Sequence, residues 1–314
     1  VNRRYIIILT LIVLLMSAWV VSAQDSDIDL SPPELGSFDL ASVEDIVVEE
    51  YPILPELTEH AQVIYEAGLE MDNNPQVFSK VGDCMTATYE YFLGPFGEGN
   101  YDLGDEYAEL EGVISYFDEP ARAEGFEMNS FNNPGLATAS GFNTASVLDS
   151  IWADPNWCEA NESPLGCEYR LSQPIFSMIM FGTNDVMFFE ADLFDFYMRS
   201  IILETIDNGT VPILYTIPTR PEFPEKTYLF NQVIIKLAED YDLPLVNLWA
   251  AIQDLPFEGV DQLEPIHLSI PEDEQAGDFT SNLEYGYTVR NLITLQALDI
   301  LLEGLEVEIE DTEA

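Results

Sequence analysis

Cys84 stands two residues past the glycine that closes an apolar stretch, in Gln76-Val77-Phe78-Ser79-Lys80-Val81-Gly82-Asp83-Cys84-Met85-Thr86. A strand ending in Gly82 turns sharply there. The residue after the turn then presents its side chain and its N–H at the carboxyl edge of a sheet, where open α/β folds hold ligands. Two readings of Cys84 are open at this point, a reactive thiol or a small buried Cys packed under a helix. The chain has only two His. His60 falls in a predicted helix where a surface or packing role suffices, so any imidazole base is His267. Glu264 precedes it by three residues, and across a turn its carboxylate could take the ring N–H and fix the tautomer. A Cys with an imidazole partner is a nucleophile suited to acyl transfer.

The surrounding pattern supplies elements to hold these groups. A helix over 57–71 is broken by Asn73-Asn74-Pro75 and leads into a strand over 76–81. Residues 92–105 read as a surface loop and 108–117 as a helix. Gly141 lies in a run of small residues, 135–144, ahead of a segment over 145–151 that is helical in pattern. A plain loop glycine is one reading of it, and an anion site made by the free N–H groups at a helix start is the other. The run 175–181 is almost wholly apolar, as a strand buried on both faces is, and Gly182-Thr183-Asn184-Asp185 follows it at once. Helix 191–208, strand 211–216, helix 226–241, strand 245–248 and a closing helix over 285–303 complete the pattern. This alternation predicts an α/β fold with parallel βαβ units and both glycine turns on one edge of the sheet.

Residues 1–23 carry a basic start, an apolar run and a Val-Ser-Ala ending, which reads as a secretory signal cut before Gln24, with an uncleaved anchor as the alternative. Residues 24–55 read as an acidic linker or arm, 56–305 as the one folded domain and 306–314 as an acidic tail. With 10 basic and 58 acidic residues the formal charge is −48. Such a surface repels nucleic acid and anionic membranes, and either favours neutral, cationic or metal-bridged partners or only keeps the protein solvated in a salty or acidic habitat, the second being the simpler reading. Of three Cys, Cys158 and Cys167 flank a short turn-rich loop that an oxidising compartment would close into a disulfide, leaving Cys84 free. Two distant His and scattered acids do not make a catalytic zinc site.

Taken in order, Gly82-Asp83-Cys84, Gly141, Gly182-Thr183-Asn184-Asp185 and Glu264-x-x-His267 resemble the four motif blocks of the SGNH/GDSL hydrolases, over roughly 76–298. The resemblance implies a flavodoxin-like, three-layer α/β/α domain and an exported ester hydrolase without a cofactor, acting on a small-molecule, lipid or carbohydrate ester. It also implies roles: Cys84 as nucleophile, His267 as base, Glu264 as its orienting acid, and Gly141 and Asn184 as oxyanion donors. Gly82, Asp83, Gly182 and Asp185 would shape the supporting turns. Two positions depart from the family, whose nucleophile is Ser and whose triad acid is Asp. A site retuned around sulfur would hold Cys84 partly as thiolate at neutral pH. A non-catalytic binding protein of the same fold, for a carbohydrate or acyl ligand, is the competing reading.

Overall fold

The computed structural model describes residues 28–122 and 126–309. The predicted signal segment, the start of the arm and the last residues of the tail lie outside them. In chain order the elements are α1 (Glu59–Glu70), β1 (Asn74–Gly82), α2 (Cys84–Ala87), α3 (Gly94–Glu98), α4 (Glu111–Tyr116), α5 (Pro164–Ser172) and β2 (Pro174–Met180). After them come α6 (Asp185–Phe188), α7 (Ala191–Asp207), β3 (Val211–Tyr215), α8 (Pro224–Asp240), β4 (Leu245–Val246), α9 (Leu248–Ile252) and α10 (Gly286–Gly304). The four strands form one sheet in the order β1-β2-β3-β4, with every pair parallel. Helices α5, α7 and α8 pack on one face and α1, α4 and α10 on the other, giving three layers.

Residue alternation along the strands explains the two faces. Phe78 and Phe176 stand opposite one another in the register, as do Ser79 and Ser177. The phenylalanines meet Tyr65 of α1 and Phe117 after α4. The serines turn to the other face, where Ser79 donates to Glu168 of α5 at 2.7 Å and Ser177 lies 2.8 Å from the Tyr169 hydroxyl. Both buried serine hydroxyls thus have a partner, as burial demands.

Strand β1 is at the edge of the sheet, and its open side is covered by the chain before Gly141. The Phe78 N–H donates to the Ser130 hydroxyl at 2.9 Å. The Gly82 N–H donates to the Ala137 carbonyl at 3.2 Å, and Thr138 bridges to Gly82 in parallel sense. This pairing carries the loop of Gly141 to the end of β1.

The structure departs from sequence expectation in four places, one of them the strand over 245–248, which is only Leu245–Val246 because Leu248 already opens α9. Residues 145–151 are not an α-helix but two 3-10 turns, Ser146–Leu148 and Ser150–Trp152, separated by extended Asp149. Local side chains compete for the backbone there: the Asn143 amide oxygen accepts from the Ser146 N–H, and the Asp149 carboxylate accepts from that of Ile151. Residues 92–105 contain the short helix α3, and 108–117 split into a 3-10 turn and α4. Residues 28–55 have only two 3-10 turns, yet Val43 and Val48 are fully buried, and Asn247 donates to the Val48 and Tyr51 carbonyls. Among the described residues no helix is long and apolar enough to cross a membrane.

Candidate functional site

Cys84 is the first residue of α2, immediately beyond β1. Gly82 has to be glycine: a Cβ there would lie 2.6 Å from the Met180 carbonyl oxygen and 2.5 Å from Thr86 Oγ1. Asp83 caps the helix, its Oδ1 accepting the Met85 N–H at 3.0 Å. The Cys84 side chain is buried and unpaired by disulfide. Burial, and then the Asp83 carboxyl beside it, push its thiol up to about 12. The expectation of a partly ionised thiol is therefore corrected: at neutral pH Cys84 is protonated.

The turn after β2 lies beside that of β1, because Gly82 pairs with Met180 in the register. Gly182 takes φ +134°, a conformation open to glycine, and brings Asn184 to the same edge. Asn184 Nδ2 donates to the Phe142 carbonyl at 2.8 Å. Asp185, fully buried, accepts at Oδ1 from the Thr144 N–H at 2.9 Å and from its hydroxyl at 2.5 Å. The two residues thereby clamp the loop that carries Gly141. Gly141 itself is exposed at φ +84°, with nothing within 4 Å of where a Cβ would be. No α-helix follows it, so the helix-start argument for an anion site there falls, and what remains is an unobstructed backbone beside the turn of Asn184.

Two buried carboxyls lie under this edge. Burial raises Asp83 to about 7 and Asp185 to about 6, the first against the pull of the Met85 N–H and Arg290 and the second against the Thr144 bonds. Each leaves its Oδ2 without a hydrogen bond among the described residues.

His267 and Glu264 come together as the spacing predicted, with Nδ1 3.3 Å from Glu264 Oε2. The turn is built by Asp261, whose Oδ1 accepts from the Leu263 and Glu264 N–H groups, and by the His267 N–H donating to the Glu264 carbonyl. The pair faces water, with the Glu264 side chain 73% exposed and that of His267 29%. His267 lines a cavity of about 340 Å³ whose wall includes Thr88 and Tyr287. Thr88 donates to the Cys84 carbonyl at 2.6 Å, so the cavity abuts the helix of Cys84. Among the described residues no hydrogen bond joins Cys84 Sγ to His267. His60 has the packing role expected, its Nδ1 2.6 Å from the Tyr241 carbonyl.

Sequence reading missed Arg290. Fully buried in α10, it donates to the Met85 carbonyl at 2.8 Å and to Thr86 Oγ1 at 3.0 Å, and lies 3.6 Å from the centre of the Phe92 ring. It pins α2 from below. Arg220 does the same for the second turn, donating to the Thr183 carbonyl at 2.7 Å. The available signal was scarcity: with only 10 Lys and Arg in the chain, a cation inside an apolar closing helix needs an internal partner.

Cys158 and Cys167 form the disulfide expected, with Cα atoms 5.2 Å apart. Glu162 lies close to both sulfurs, but bonded sulfurs are not thiolate ligands for a metal.

No protein-family model and no curated protein sequence matches the chain. Solved structures do. A GDSL-like lipase from Bacteroides thetaiotaomicron aligns at TM-score 0.45 and 14% identity, over 77% of this chain and 98% of that one. The psychrotrophic esterase EstA from Pseudoalteromonas sp. aligns at TM-score 0.45 and 14% identity, over 73% and 99%. The acetylxylan esterase Axe2 from Geobacillus stearothermophilus aligns at TM-score 0.42 and 17% identity, over 75% and 96%.

Proposed function

We propose that the protein is an exported hydrolase of carboxylic esters, O-acetyl groups included, working by acyl transfer to Cys84. One observation carries this reading: the turns of Cys84 and Asn184 are neighbours on the carboxyl edge of a parallel sheet, and Asn184 holds the loop of Gly141 against them. A nucleophile position and two potential oxyanion donors thus share one edge, with the only imidazole outside α1 in an adjoining cavity.

Because the thiol is protonated, it depends on a base in the way a hydroxyl does. In the reaction His267 takes the Sγ proton as sulfur bonds to the ester carbonyl carbon. The electron pair displaced onto the carbonyl oxygen is met by N–H donors of Cys84, Gly141 and the second amide N–H of Asn184. Collapse expels the alcohol, which takes the proton from His267. Water, deprotonated by the same imidazole, then hydrolyses the thioester and returns Cys84 to its thiol.

The binding-protein reading has a specific observation in its favour, the buried neutral thiol without a bond to His267. Hydrolysis of p-nitrophenyl acetate and butyrate by the wild type, with Cys84→Ala and His267→Ala beside it, tests between them. Turnover lost in both variants supports acyl transfer. No turnover by the wild type, or turnover that survives Cys84→Ala, overturns it.

A further inference from the structure

The loop of Gly141 forms one wall of a second cavity, of about 560 Å³, distinct from that of His267. Its size suits a small ligand. Trp152 stands at its rim, 59% exposed, while Phe142, only 7% exposed, supports the indole with ring centres 6.4 Å apart and planes at 70°. The rest of the wall mixes apolar groups, Leu136 and Ala139 among them, with the polar side chains of Thr138, Ser140, Ser146 and Asp154. Thr138 and Ser146 spend their hydroxyl protons on the Pro134 carbonyl and on Asn143 Oδ1, which leaves both oxygens able to accept. The Ser140 hydroxyl makes no hydrogen bond among the described residues. Asp154 accepts from Asn156 through Oδ1, leaving Oδ2 for another donor. The floor is fixed by the Leu136 N–H, which donates to buried Glu168 at 2.7 Å.

We infer that this cavity is a saccharide subsite, in which Trp152 stacks on the C–H face of a sugar ring while Ser140, Asp154 and their neighbours bind its hydroxyls. An open aromatic face beside scattered hydroxyl and carboxylate acceptors matches a ring that is apolar on its faces and polar at its edge. A plain alkyl chain would cover the apolar part of the wall but return no hydrogen bond to Ser140, Ser146 or Asp154, which the hydroxyl edge of a sugar ring supplies. Uronic acids and other anionic sugars are disfavoured by the −48 charge. The ligand class is therefore a neutral oligosaccharide. Because Phe142 belongs both to this cavity and to the clamp made by Asn184, the sugar and the reacting carbonyl would share one loop. The substrate class that follows, an acyl ester on a neutral glycan, rests on the acyl-transfer reading; the subsite itself does not.

Binding is measured by titration calorimetry and tryptophan fluorescence on the Cys84→Ala protein, with xylohexaose, cellohexaose and mannohexaose as neutral probes and trigalacturonate as the anionic one. At least one neutral hexasaccharide is expected to bind and to change the tryptophan emission. Trp152→Ala should weaken that binding by roughly tenfold or more, and Trp152→Tyr, which keeps an aromatic face, by clearly less. Thermal melts establish that the variants fold. The inference is overturned if no neutral probe binds, if binding is indifferent to Trp152→Ala, or if trigalacturonate binds as tightly as the neutral sugars. Since binding is read without turnover, absence of ester hydrolysis by the wild type would sink the acyl-transfer reading alone. Hydrolysis of p-nitrophenyl acetate without sugar binding would sink the subsite alone.

Discussion

Asn184 Nδ2 donates to the backbone carbonyl of Phe142 at 2.8 Å, and this bond ties the end of β2 to the loop of Gly141. It gives Asn184 a structural duty beside the oxyanion role proposed for it. In Asn184→Ala the buried Phe142 carbonyl loses its donor, so stability should fall by about 1–3 kcal/mol. The kcat for ester hydrolysis should fall by roughly ten- to a thousandfold, the effect of one lost oxyanion donor. Urea melts and initial rates check both. An unchanged rate would remove Asn184 from the mechanism.

Cys84→Ser tests how the nucleophile is activated. A thiol pushed up to about 12 gains nothing from ionisation at neutral pH. A hydroxyl in its place needs the same base, so the variant should retain or exceed wild-type kcat/KM on p-nitrophenyl acetate. Loss of activity by a hundredfold or more, an effect on the order of a misplaced reacting group, would mean that the site is retuned around sulfur.

The same burial predicts thiol chemistry. Under non-reducing conditions at pH 7.5, iodoacetamide should label native Cys84 more slowly than free cysteine, and label it fully after denaturation. Mass spectrometry of the digest should find Cys158 joined to Cys167. Native labelling faster than free cysteine would contradict both the burial and the raised thiol.

Glu264 should matter less than the acid of a buried triad. Its contact with His267 is 3.3 Å long and its side chain is 73% exposed, and exposed ion pairs contribute about 0–1 kcal/mol. Glu264→Gln should therefore cost less than about tenfold in kcat, while His267→Ala should cost roughly a hundred- to ten-thousandfold as loss of the general base. Equal losses in the two variants would show that Glu264 is desolvated when substrate is bound.

Asp83 and Asp185 make stability depend on pH. Both hold a proton more tightly folded than unfolded, where carboxyls titrate near 4. Their stabilising contribution is full below about pH 4 and is lost as pH rises through about 6 for Asp185 and 7 for Asp83. Relief of the −48 charge acts in the same direction, so the informative quantity is a difference between proteins. The Tm of Asp83→Asn should vary less between pH 5 and 8 than that of the wild type. An identical slope would mean that Asp83 is ionised throughout.

Much of this was legible in the sequence because it is local. Strand alternation, apolar runs closed by Gly82 and Gly182, and the three-residue step from Glu264 to His267 each depend on neighbours within one turn or strand. Those features fixed the parallel α/β layout, the shared edge and the acid–imidazole contact, and the nine-residue step between Cys158 and Cys167 fixed the disulfide. What lay out of reach is set by distant parts of the chain. The state of the Cys84 thiol follows from how deeply the fold buries it beside Asp83, and hydropathy cannot say which polar residue ends up dry. Arg290 reaches α2 across about 200 residues, and Asn184 reaches Phe142 across about 40, separations at which spacing carries no information about contact. The irregular turns over 146–152 escaped for the opposite reason. There, Asn143 and Asp149 outbid the helical pattern for backbone N–H groups, and only tertiary packing decides whether such a local bond or the helix prevails.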